Sequence, residues 1–151
     1  MEVTVVNRTE FSVNSEIIED ICDWLEGKIG PGYTEISLVF VNDREISRLN
    51  EKYYGREGPT DVLAFFYDRE AEIFLNPYQH RRQASEYDNS FSQELVENIV
   101  HAFLHLAGYD HTKEDDEEHL QLQKKLMIEF KNWQTETVIE NKNQTGSSGE
   151  M

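Results

Sequence analysis

SFSQELVENIVHAFLHLAGYDH, residues 90–111, is the stretch from which the rest of the chain is read. Leu95, Ile99, Phe103 and Leu106 recur at the three- and four-residue spacing of one helix face, which predicts a buried helix over 90–107. Ser90 followed by Gln93 has the form of a capping box, and Gly108 stands where a helix stop belongs. Asn98, His101 and His105 share a different, polar stripe. Side chains four apart sit one turn above another, so the two imidazoles project from the same side. Gly108 lets the chain reverse, and His111 can return toward them from the loop.

A lone histidine reads more simply as a hydrogen-bonded polar residue than as a ligand. Three spaced H-x-x-x-H-x-x-G-x-x-H point instead to a metal, since this is how zinc peptidases of the metzincin kind hold theirs. Three imidazoles on a tetrahedral ion leave one position for water, the catalytic arrangement. Imidazole favours zinc, with nickel or copper able to substitute. The peptidases carry Glu after the first His as general base, whereas here the residue is Ala102. An amide nitrogen leaves poorly without a delivered proton, so that Glu is hard to omit. A phosphodiester is less demanding: its oxygens bind metals, and zinc brings its water to a pKa of about 7 unaided. Ala102 therefore shifts weight from peptide toward phosphate ester. Asp110 is placed either to orient a ligand imidazole or to cap the next helix. His80 and His119 lack ligand spacing and are expected at the surface.

Outward from this helix, "EVTVVN" (2–7) alternates as a first strand, and Asn14 or Ser15 caps a helix carrying Ile17, Ile18, Ile21, Trp24, Leu25 and Ile29. "TEISLVFV" (34–41) is apolar on both faces, as a central strand requires. Asn42 caps a second helix with Ile46, Leu49 and Tyr53 on one face. "TDVLAFF" (60–66) and "AEIFLN" (71–76) form a hairpin about Asp68-Arg69, and "PYQHRRQASEY" a short polar helix or lid. A last helix starts at Thr112, with Leu122, Leu126, Phe130 and Trp133 as its core stripe and the acidic run "EDDEE" as a solvated first turn. The fold class expected is α+β, a small mixed sheet of about four strands packed with helices. Residues 1–134 are read as one zinc hydrolase domain and 135–151, polar and rich in Gly and Ser, as a disordered tail.

Composition sets outer limits. A chain of 151 residues suits one domain, and 38% hydrophobic residues can build a core. No run is long enough for a membrane span, and "MEVTVVNRTE" lacks the form of a signal peptide, so a cytoplasmic location without membrane partners is expected. The single cysteine, Cys22, lies among apolar residues and reads as a buried thiol. A net charge of −16 disfavours unspecific adhesion to nucleic acid, so any such role needs a local basic cleft or a partner.

Two blocks together carry a family resemblance. "HAFLHLAGYDH" (101–111) matches H-G-x-L-H-L-x-G-Y-D-H with Ala102 in place of Gly, and "LNEKYYGREGPTDVLAF" (49–65) follows L-N-x-x-Y-R-x-x-x-x-P-T-D-V-L-S-F. Both are patterns of the YbeY family of bacterial zinc endoribonucleases, which the chain resembles up to about residue 134. The resemblance implies a zincin-like fold and one zinc per chain held by His101, His105 and His111. It also implies hydrolysis of single-stranded RNA in maturation of the small-subunit rRNA 3′ end and in ribosome biogenesis, with the ribosome or its proteins as partners. The family's Arg after the Tyr of the second block is Tyr54 here, and Arg56, beyond Gly55, is the candidate to take over its catalytic contact with phosphate.

Rival readings from the same residues are a zinc-dependent peptidase using another base, such as Asp110, and a non-catalytic ribosome-associated module whose zinc only ties helix to loop. Asp61 reads first as a turn cap before the strand, with a cleft-facing role as the alternative. Arg81-Arg82 reads first as a solvated helix face, with a grip on RNA phosphate as the alternative.

Overall fold

Alternation, capping residues and turn glycines divide the chain as follows in the computed structural model, which describes residues 1–109, 115–134 and 136–141. The order is β1 (Glu2–Asn7), β2 (Phe11–Val13), α1 (Ser15–Ile29), β3 (Glu35–Phe40), α2 (Asp43–Tyr54) and β4 (Val62–Tyr67). There follow β5 (Glu70–Leu75), α3 (Pro77–Glu86), α4 (Phe91–Leu106), α5 (Asp115–Trp133) and β6 (Ile139–Asn141). Asn14, Asn42, Asn76 and Ser90 each accept a hydrogen bond from a first-turn N–H, so four helices begin on polar caps visible in the sequence.

The main sheet runs β1-β3-β5-β4. β1 and β5 flank β3 in parallel, and β4 turns back antiparallel through Asp68-Arg69 to become an edge. This mixed sheet of four strands agrees with the α+β expectation. Ile36, Leu38 and Phe40, with Ala71, Ile73 and Leu75, share one core cluster with α1 and α4. Val39, Val41 and Leu63 form a second, smaller cluster with Ile46 of α2, so β3 is covered on both sides. Cys22 is fully buried, as its surroundings imply, and burial pushes its thiol far above the ordinary range.

Three expectations are corrected. The segment expected as a disordered tail holds a strand: Ile139–Asn141 pairs antiparallel with Phe11–Val13, and Val138 and Ile139 are buried, while 142–151 lie outside the described residues. Two apolar residues in a polar segment are enough for a three-residue strand when an unpaired edge awaits them. His80 and His119 are not at the surface but buried, each covered by a neighbouring element. The core stripe of α5 departs at one residue: Leu126 and Phe130 are buried and Leu122 packs against the core, while Trp133 lies over Trp24 (centroids 5.3 Å apart) and stays 40% exposed. Among the described residues no helix is long and apolar enough to cross a membrane.

Candidate active site

The rotation of α4 about its axis is set by its apolar majority. Leu95, Val96, Ile99, Val100, Phe103 and Leu104 are all completely buried, which leaves His101 and His105 half-buried at the rim. The helix starts on the expected capping box, Ser90 Oγ accepting from the Gln93 N–H at 3.0 Å and Gln93 Oε1 from the Ser90 N–H at 3.3 Å. It ends before Gly108, whose φ of 96° is open to glycine and strained for other residues.

His101, Ala102 and His105 form one side of a cleft of about 340 Å³. Val62, Leu63 and Ala64 of the sheet-edge strand β4 line it as well. The remaining lining is Tyr54 and Arg56 from the end of α2, with Thr60 and Asp61 from the loop that follows. Gly55 caps α2 in the left-handed region (φ 64°), and the reversal there carries Arg56 to the cleft. Tyr54 is fixed to β4 by its hydroxyl, which donates to the Ala64 carbonyl at 3.1 Å. His101, His105 and Arg56 thus meet at one cavity; His111 and Asp110 lie outside the described residues.

The donors present suit a metal. Two imidazoles on successive helical turns match two corners of a tetrahedral zinc. The structure also gives His101 a defined tautomer. Gln123 Nε2 donates to Glu97 Oε1 at 3.2 Å, and a carboxylate only accepts, so the Gln123 oxygen is the atom turned toward His101. That oxygen lies 3.4 Å from His101 Nδ1. The Gln123 oxygen only accepts, so it favours the tautomer with the proton on Nδ1, the one in which Nε2 is the ligating atom. His119 packs its ring edge-on against His101, centroids 4.8 Å apart, so α5 backs the site. Among the described residues no three His, Cys, Asp or Glu side chains converge as a complete ligand group.

Asp61 lines the cleft, its alternative reading, while α3 rather than its own turn ties the side chain down. Gln83 Nε2 donates to its carboxylate at 3.2 Å, and His80 Nε2 donates to its carbonyl at 3.0 Å. His80 has no exposed surface, its Nδ1 has no partner, and burial pushes its pKa down to about 4 against the upward pull of Asp61. A neutral ring protonated on Nε2 satisfies all three observations. The adjacent Asn76 is fully buried; its Nδ2 reaches Asp43 Oδ1 at 2.7 Å and the Thr60 carbonyl at 3.1 Å. Arg82 completes this corner on Asp43, holding its carboxyl below the ordinary range despite partial burial, with Asn76 adding to the pull. Arg82 is therefore engaged with protein, and Arg81 points to Asn141 (3.2 Å) and the face of Phe11, so neither fits the phosphate-gripping alternative.

The model of the family described as endoribonuclease YbeY matches residues 4–131. The chain belongs to the YbeY family. It is 34% identical over 146 residues to the endoribonuclease YbeY of Bacillus subtilis, covering 83% of this chain and 92% of that one. It is 37% identical over 115 residues to that of Lacticaseibacillus casei, covering 66% and 76% respectively. The solution structure of TM1509 from Thermotoga maritima is similar at a TM-score of 0.63 and 31% identity, covering 87% of this chain and 91% of that one. Against the YbeY pattern, Tyr54 and Arg56 share the cleft, so the departure at Tyr54 leaves a guanidinium within the same cavity.

Sequence reading missed the supporting residues. Asn76 before Pro77 is a helix-start signal, yet nothing in it announces a bond to Asp43 from a distant helix. Gln123 and Glu97 carry no local signal at all.

Proposed function

We propose that this chain is a zinc-dependent endoribonuclease that cuts single-stranded RNA, acting in the cytoplasm on ribosomal RNA, including the 3′ end of the small-subunit RNA. The observation that carries the reading is the cleft where His101 and His105 face Arg56 with Ala102, not a carboxylate, between the imidazoles. His101, His105 and His111 would hold one zinc per chain. When bound, zinc supplies Lewis acidity toward a phosphoryl oxygen and acidifies a water enough for attack at neutral pH. Arg56 is exposed, so its guanidinium can meet a phosphate at the mouth and offset charge that builds on the phosphoryl oxygens. Gln123 holds His101 in the ligating tautomer, and the apolar Val62 and Leu63 limit water on the strand side. Ribosomal RNA and protein supply the docking context that a chain of charge −16 needs.

The test is cleavage of single-stranded and duplex RNAs and of peptides, with and without a chelator. Metal-dependent cutting of the single strand alone is expected, reduced at least tenfold in Arg56→Ala. Peptide hydrolysis would favour the protease reading. A chain that melts on chelation and cuts nothing would favour the binding module, and Arg56→Ala at full rate would remove Arg56 from the chemistry.

A further inference from the structure

We infer that the outer face of α2 is a cationic track that receives the backbone of the single strand leaving the cleft. This rests on the endoribonuclease reading and extends it to a second surface. Arg44, Arg48 and Lys52 follow one another at every fourth residue and are all exposed. At ~1.5 Å rise per residue they stand roughly 6 Å apart along one side of the helix, a separation comparable with that between phosphates of an extended strand. Arg56, four positions further and past the Gly55 reversal, lines the cleft, so the series ends at the reaction site.

The charge balance of this face is unusual for the molecule. The whole chain has 14 bases against 30 acids, yet three bases share this one face. Two of the three acids of α2 are engaged elsewhere: Asp43 by Arg82 at 2.7 Å and Glu45 by Arg8 at 2.6 Å. Among the described residues, Arg44, Arg48 and Lys52 enter no ion pair, and only Glu51 remains on their face as an opposing charge. Lys52 also lies 5.1 Å over the ring of Tyr53, which is 56% exposed, and Tyr54 beside it is 44% exposed. Cations that follow a backbone, bordered by exposed aromatic faces, are the composition that holds single-stranded nucleic acid. An acidic protein partner would be repelled by the rest of a chain at −16 without the bases that stack on these rings.

The experiment is fluorescence anisotropy with a labelled oligouridylate over a series of KCl concentrations, using the full chain in a His101→Ala background so that no cut intervenes. Each phosphate neutralised on a single strand contributes about 0.7 to the slope of log affinity against log salt. Arg44→Gln/Arg48→Gln/Lys52→Gln is expected to flatten that slope by about 2. Arg69→Gln/Lys125→Gln/Lys131→Gln removes the same charge elsewhere and is expected to leave it unchanged. Equal flattening in both sets, no flattening in the first, or no binding by the parent overturns the track. Cleavage by the chain with His101 intact is scored separately. Cutting without a slope change sinks the track and spares the activity, whereas a slope change without cutting does the reverse.

Discussion

Replacing Asn76 by Ala tests how the cleft wall is held. Its side chain caps α3 by accepting from the Tyr78 N–H at 3.2 Å, and losing such a cap costs about 1 kcal/mol. Its amide nitrogen also donates to the Thr60 carbonyl, and a part-buried acceptor left unpaired costs about 1 kcal/mol more. The third bond, to Asp43, is charge-assisted, but that carboxylate keeps Arg82 and is 42% exposed, so about 1 kcal/mol is a screened value for it. The sum is about 3 kcal/mol, or roughly 9 °C in Tm for a chain of this size. Urea titration should show a lower midpoint at constant slope. Asn76→Asp keeps the cap acceptor but sets a second carboxylate against Asp43. It should therefore be worse than Asn76→Ala at neutral pH and recover relative to it as pH falls toward about 4. A loss below about 1 kcal/mol for Asn76→Ala would show that the three bonds are not carried by this side chain.

Three further outcomes follow from other parts of the molecule. His80 is neutral in the fold with its pKa at about 4, whereas the unfolded chain takes up a proton below about 6.5. Its contribution is complete above that value and is lost as pH falls toward 4, on the order of 3 kcal/mol in all. His80→Gln should flatten the stability curve across this window, and an unchanged slope would place the acid sensitivity elsewhere. Gln123→Ala should weaken zinc binding about 10–100-fold in competition with a metallochromic chelator, a readout that needs no cleavage, and equal affinity would dismiss Gln123 as an orienting group. Ile139→Ala should cost about 3 kcal/mol in urea, because the side chain is 2% exposed; a loss under half a kcal/mol would detach β6 from the core.

Most of the fold could be read because its signals are local. Asn14, Asn42 and Ser90 declare helix starts, and α4 shows its core face in four apolar residues. The hairpin of β4 and β5 is set by its turn, with Asp68 in the left-handed region at φ 52°. What was hidden depends on partners far along the chain. β2 and β6 have three residues each, too few to display a period of two, and each is a strand only because the other exists. His80 and His119 look like ordinary polar residues of helices, and their burial is decided by what packs over them. At the site, the spacing of His101 and His105 was visible, and so was Arg56 as the neighbouring cation. The Gln123–Glu97 link was not, since it joins two helices through side chains with no motif between them.

The pairing of Phe11 with Asn141 has a consequence for how the molecule is made. Phe11 packs between Tyr78 and Phe91, with centroids 4.7 and 5.1 Å away, and the strand carrying it finds its hydrogen-bonding mate only at Ile139–Asn141. During synthesis that early edge lacks its mate until Ile139–Asn141 has emerged, so β2 is secured only after the helices between them have been made. A nascent polypeptide stalled before Val138 would already possess the histidine helix yet present an open edge to proteases and to other copies of itself. Emergence of β6 thus closes an edge that the residues before it leave open.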